Sequence, residues 1–131
     1  MDRTRVVVTG MGVLAPNAHG LEAYEDALRN GRSGIRFIEQ LRQQNFACQV
    51  GGVPQGVDEL KHDYLAPDDL LAMNDAMVYT AIAGIDCWRD AGLPPVGPQT
   101  PVDWSTGAII GTGIGGMQTI GNRLIPMVDK G

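Results

Sequence analysis

Two apolar runs, each closed by paired glycines, constrain this chain most. Arg5-Val6-Val7-Val8-Thr9 leads into Gly10-Met11-Gly12, and Gly107-Ala108-Ile109-Ile110-Gly111 leads into Gly113-Ile114-Gly115-Gly116. Unbroken runs of this kind predict strands over 5–9 and 107–111 buried on both faces, as in a parallel sheet. Phe46, Cys48 and Val50 alternate with Ala47 and Gln49 ahead of Gly51-Gly52, which predicts another strand over 46–53. Helical periodicity fills the gaps. Leu21, Tyr24, Ala27 and Leu28 share one face of a helix whose early turns hold Glu22, Glu25 and Asp26, with Gly31 as its stop. Met77, Val78, Ala81, Ile82, Ile85 and Trp88 recur at spacings of three and four, predicting a long helix over 75–91. Asn74 is suited to cap it and Gly92 to end it. Pro67-Asp68-Asp69 predicts a short separate turn of helix, and the helical stretch from Met117 is expected to break at Pro126. The alternation of strand and helix indicates an α/β layered sheet.

Composition narrows the function classes. With 131 residues, 44% apolar and 19% charged, the chain fits one globular domain or part of one rather than a disordered segment. No apolar run approaches the ~20 residues of a membrane helix. Val6-Val7-Val8 is too short for the core of a signal peptide. Two unspaced cysteines offer neither a disulfide framework nor a metal site, so a cytoplasmic protein without membrane contact is expected. The net charge of −5 argues against a nucleic-acid partner, which would need phosphates neutralised. That charge is uneven, with six bases and five acids in residues 1–42 against four and ten in 43–131.

Three constellations could carry chemistry. Gly111-Thr112-Gly113-Ile114-Gly115-Gly116 matches G-x-G-x-x-G, and Gly10-Met11-Gly12-Val13-Leu14-Ala15 matches its alanine variant. Such loops let backbone approach a pyrophosphate and aim a helix N-terminus at it. The N-terminal match lacks an immediate helix because Pro16 intervenes, and the other shows no ribose-binding acid. A structural or substrate-lining glycine turn is favoured, with a dinucleotide-binding oxidoreductase as an alternative. Cys48 and Cys87 lack a local base, cation cluster or helix N-terminus, so both are expected to be inert small hydrophobes. Arg29, Arg32, Arg36 and Arg42 form either a solvated helix end or a contact for an acidic partner.

Taken together, these residues resemble the β-ketoacyl-acyl-carrier-protein synthases of the elongating type. The resemblance rests on Arg5 to Val13 with Ala15-Pro16-Asn17, on Leu28-Arg29-Asn30-Gly31-Arg32-Ser33-Gly34-Ile35, and on Asp90-Ala91-Gly92-Leu93. Its most specific part is Gly107 to Gly116. It implies a thiolase-like α/β fold, layered α-β-α-β-α in the intact protein, and a homodimer. It also implies decarboxylative Claisen condensation of acyl and malonyl thioesters held on an acyl carrier protein, with no cofactor. The family's nucleophilic cysteine and two histidines are expected beyond Gly131, so residues 1–131 would be an incomplete N-terminal half, inactive alone. Such a half would expose the apolar faces of Ile109, Ile110 and the Met77–Trp88 stripe. Ile114, flanked by Gly113 and Gly115, is the residue that the resemblance places in the acyl-chain pocket as a gate.

One departure stands out. Where family members carry a basic stretch that receives the acidic carrier, this chain has Pro67-Asp68-Asp69-Leu70-Leu71-Ala72. Like charges repel there, so docking is expected to use Arg29, Arg32 and Arg36, or a different carrier. This favours a specialised polyene- or polyketide-type synthase. The alternatives are a non-catalytic partner resembling a chain-length factor and a short binding protein.

Overall fold

The computed structural model describes residues 4–129. A two-residue hairpin, β1 (Leu14–Ala15) against β2 (Ala18–His19), turns at Pro16-Asn17. Helix α1 (Leu21–Arg29) follows, then β3 (Ile35–Phe37), α2 (Glu39–Gln43), β4 (Val50–Gly52), α3 (Val57–Leu60) and α4 (Pro67–Leu70). The long helix α5 spans Asp75–Asp90. After it the chain is irregular until a C-terminal helical stretch of α6 (Met117–Thr119), a π turn (Ile120–Leu124) and α7 (Ile125–Asp129).

The helices end where local chemistry predicts. Asn74 caps α5, its side chain accepting from the Met77 N–H at 3.1 Å, an arrangement worth about 1 kcal/mol. After α1 and α5, Gly31 (φ 62°) and Gly92 (φ 67°) take the left-handed conformation. The next N–H groups, of Arg32 and Leu93, then reach back to the carbonyls of Ala27 and Trp88. Both are Schellman motifs, in which glycine avoids the Cβ clash of positive φ. The short helix over Pro67–Leu70 also forms as predicted, with proline in its first turn.

The strands depart from expectation. Residues 5–9 form no ladder, and Val6 is 91% exposed. Residues 107–111 likewise form none, leaving Ile109 fully exposed and Ile110 largely so. A strand is stabilised by a neighbour's N–H and C=O groups, and among the described residues neither segment has one. Of 46–53, only Val50–Gly52 pairs, antiparallel with Ile35–Phe37, a strand that the sequence pattern did not reveal. Residues 45–46 are used otherwise. Asn45 (φ 57°) and Phe46 close a third Schellman motif at the end of α2, with the Phe46 N–H on the Leu41 carbonyl at 2.9 Å. Pro126 does not break the C-terminal stretch, which runs through to Asp129 with its hydrogen bonding widened to a π turn just upstream.

The core is small. Among the described residues its buried hydrophobic members are Ala27 on α1 and Val78 and Ile82 on α5, with α1 packed on β2 and α5 on β1 of the hairpin. Only the Val78 and Ile82 positions of the predicted stripe are fully covered, while Met77 stays about half exposed. Residues 10–13 lie directly on α5. The Cys87 thiol donates to the Gly10 carbonyl at 3.3 Å, and the Met11 N–H donates to Asp90 Oδ2 at 2.8 Å. A Cβ on Gly12 would stand 2.0 Å from the Ala83 carbonyl oxygen, and one on Gly10 would stand 2.5 Å from the Cys87 carbonyl oxygen. These two glycines serve backbone-to-helix packing.

Candidate functional site

The loop expected to carry the site is anchored rather than free. Beyond Gly116 (φ 82°), Gln118 makes a reciprocal pair with the start of α5, accepting from the Asp75 N–H at 2.9 Å and donating to Asp75 Oδ2 at 3.0 Å. Asn74 Nδ2 donates to Thr119 Oγ1 at 3.4 Å, and Arg123 donates to the Leu71 carbonyl at 2.6 Å. The glycine loop is thereby held across the N-terminal end of α5. Behind it lies a mainly apolar cavity of about 290 Å³, lined by Met73, Met77, Thr80, Ile110, Gly115 and Gly116 among others. Ile114 does not line this cavity; it is 81% exposed and points off the loop. A Cβ on Gly113 would meet nothing within 4 Å. Ile114 therefore stands as a stiff, branched side chain on a backbone with space around it.

A larger apolar groove, about 1210 Å³, lies between residues 11–13, α1, α5 and residues 108–110. Of the two segments predicted as strands, the one over 107–111 reaches it, through Ala108, Ile109 and Ile110.

The other candidates fall apart spatially. Cys48 is exposed, and Cys87 is half-buried on Gly10. Arg29 pairs with Glu25, Arg32 with Asp26 and Arg42 with Glu39, while Arg36 donates to the Val53 carbonyl. The four guanidinium groups are thus engaged within the chain. Asp68 and Asp69 are exposed in the first turn of α4. Among the described residues, no group of three or more His, Cys, Asp or Glu could hold a metal ion.

Sequence reasoning missed one polar cluster. His19, at the end of β2, places Nε2 2.8 Å from Asp86 Oδ2 on α5. The Tyr64 hydroxyl donates to Asp86 Oδ1 at 2.8 Å and lies 3.2 Å from His19 Nε2. The Arg89 guanidinium covers the Tyr64 ring at 4.9 Å from its centroid, a cation–π contact. Partial burial, then the bond to Asp86, raises the Tyr64 pKa above its ordinary 10.0. Asp86→Asn should lower the phenol midpoint toward that value in an absorbance titration, because the neutral amide removes the negative charge opposing ionisation. An unchanged midpoint would leave burial as the whole cause. The cluster fastens the hairpin to α5; its members lie 22 to 67 positions apart, so no sequence spacing announces it.

The comparisons with known proteins decide the lineage. Residues 3–128 match the profile of the beta-ketoacyl synthase N-terminal domain. The chain belongs to the beta-ketoacyl synthase family. Across all 131 residues it is 35% identical to a 3-oxoacyl-[acyl-carrier-protein] synthase 2 of Vibrio cholerae, of which it spans 30%. It is 34% identical over 115 residues to the tetracenomycin polyketide synthase ketoacyl synthase beta subunit of Streptomyces glaucescens, covering 86% of this chain and 26% of that protein. To the chloroplastic 3-oxoacyl-[acyl-carrier-protein] synthase I of Arabidopsis thaliana it is 27% identical, over 98% of this chain and 27% of the relative. The chain thus spans about a third or less of the length of these relatives. A thiolase-like fold follows from membership. No helix among the described residues is long and apolar enough to cross a membrane.

Proposed function

We propose that the intact protein is a 3-oxoacyl-acyl-carrier-protein synthase of fatty-acid or polyketide-type biosynthesis, working in the cytoplasm as a homodimer in the five-layer arrangement. The observation that carries this reading is the glycine loop of residues 111–116, anchored on α5 and presenting Ile114, within a family match over residues 3–128. In this reading an acyl group is transferred to a cysteine thiolate. Decarboxylation of a malonyl thioester then supplies the carbanion that attacks the acyl carbonyl. Residues 1–131 supply the loop, with Ile114 as a wall of the acyl pocket and Gly113 and Gly115 letting it move. Neither Cys48 nor Cys87 is assigned as the nucleophile. The acyl carrier protein would meet Arg29, Arg32 and Arg36, each after exchanging its present partner.

A second reading is favoured by the near-equal identity to the polyketide beta subunit, 34% against 35% for the Vibrio synthase. There the protein would act as a non-catalytic partner of a condensing subunit. One assay separates the two. The full-length gene product is incubated with acyl- and malonyl-carrier protein, and released carbon dioxide and 3-oxoacyl product are followed. Turnover by the protein alone is the expected result. Turnover only on addition of a second ketosynthase subunit would establish the partner reading, and none under either condition would overturn both.

A further inference from the structure

The loop that carries Ile114 is held from its downstream end. Among the described residues, no hydrogen bond joins residues 107–115 to another element. Beneath the loop lies the cavity of about 290 Å³, with Met73, Met77 and Thr80 on one side and Ile110, Thr112 and Gly115 on the other. A segment that spans a void with no bond across it sits wherever its ends are fixed.

Gln118 does the fixing, four positions after Ile114. Both atoms of its carboxamide are used, Oε1 accepting from the Asp75 N–H at 2.9 Å and Nε2 donating to Asp75 Oδ2 at 3.0 Å. Asp75 is the first residue of α5, and its N–H has no partner inside the helix. Gln118 satisfies that group from 43 positions away, while Asn74 caps the Met77 N–H. Two bonds to one residue set the plane of the amide as well as its distance. The neighbouring contact, Asn74 Nδ2 to Thr119 Oγ1, is longer at 3.4 Å.

We propose that Gln118 is a positioning residue for acyl-chain selection. Clasped on Asp75, it sets how far the Ile114 loop stands from α5, and so how long a chain the pocket admits. The role rests on the reading of Ile114 as a wall of the acyl pocket. Gln118 touches no substrate in it and acts only through the loop.

The clasp can be broken and rebuilt. Gln118→Glu replaces the Nε2 donor with an oxygen facing Asp75 Oδ2, so two carboxylates meet and repel. Adding Asp75→Asn returns a donor: the introduced amide nitrogen bonds one carboxylate oxygen, and the other still accepts from the backbone N–H of position 75. Both positions are exposed, so neither change opens the core.

Acyl-transfer kcat and KM are measured on the full-length gene product with acetyl- and dodecanoyl-carrier protein as donors. With the wall loosened, Gln118→Glu should raise the ratio of kcat/KM for the long donor over the short one by about 10-fold, mostly through KM. Asp75→Asn/Gln118→Glu should bring that ratio back to within about two-fold of the parent. In an Ile114→Ala background, where the wall is gone, Gln118→Glu should produce no further change in the ratio. An equal loss for both donors, a ratio that the exchange fails to restore, or the same shift in the Ile114→Ala background would overturn the positioning role and leave the condensing function standing. A parent that transfers neither donor would overturn the condensing function and this role with it.

Discussion

Gly12→Ala should lower the stability of the protein by about 3 kcal/mol, the upper part of the range for overpacking. The added Cβ would stand 2.0 Å from the Ala83 carbonyl oxygen and 2.6 Å from the Cys87 nitrogen. Both are backbone atoms of α5, so no side-chain rotation relieves the overlap, and the strand-like segment must lift from the helix. Lifting it also strains the Met11–Asp90 and Cys87–Gly10 hydrogen bonds. A loss of this size lowers the melting temperature by roughly 10 °C. Gly84→Ala is the control. It lies on the same helix, but a Cβ there would meet nothing within 4 Å, and alanine is preferred over glycine inside a helix by about 1 kcal/mol. Thermal melts of the two variants should therefore move in opposite directions. A neutral Gly12→Ala would remove packing as the reason for glycine there and reopen the phosphate-loop reading of residues 10–15.

On the proposed function, Ile114→Phe should discriminate among acyl chains in the intact protein. In that reading Ile114, between Gly113 and Gly115, is a wall of the acyl pocket, and branching at Cβ keeps it stiff. An aromatic ring there would intrude on the space of a long acyl chain, at about 1–3 kcal/mol. That penalty corresponds to roughly 5- to 150-fold in relative rate for chains that reach the wall and little for acetyl-sized donors. Acyl-transfer rates for short and long donors, measured in variant and parent, give the answer. Equal losses at every length would make Ile114 structural and withdraw it from the pocket.

The same loop shows how far local sequence carries. The glycine pattern at 111–116 and the strand-like run before it were the most specific of the spaced segments that together suggested the family, and the match over residues 3–128 agrees. The reach of Gln118 and Thr119 back to Asp75 and Asn74, which fixes the loop on α5, bridges 43 and 45 positions and leaves no periodic trace. The four arginines near α1 and α2 illustrate the opposite limit. Their clustering was visible, but their engagement with Glu25, Asp26, Glu39 and the Val53 carbonyl is a matter of side-chain geometry.

Local sequence by itself determined the helices α1, α4 and α5 and their ends. A helix closes its hydrogen bonds within four residues, so caps such as Asn74 and stops such as Gly31 and Gly92 act on their own neighbours. The strands were decided by tertiary structure. Val6–Val8 and Ile109–Ile110 have the side chains of buried strands, yet a ladder needs a second chain segment, and none of the described residues supplies it. Val50–Gly52 became a strand only because Ile35–Phe37 lies beside it. The His19–Tyr64–Asp86 cluster likewise exists only because folding brings distant positions within hydrogen-bond reach. The capped helices α1 and α5, which close on their own neighbours, were legible in the residues, whereas the strands and the polar cluster, which need distant partners, had to wait for the fold.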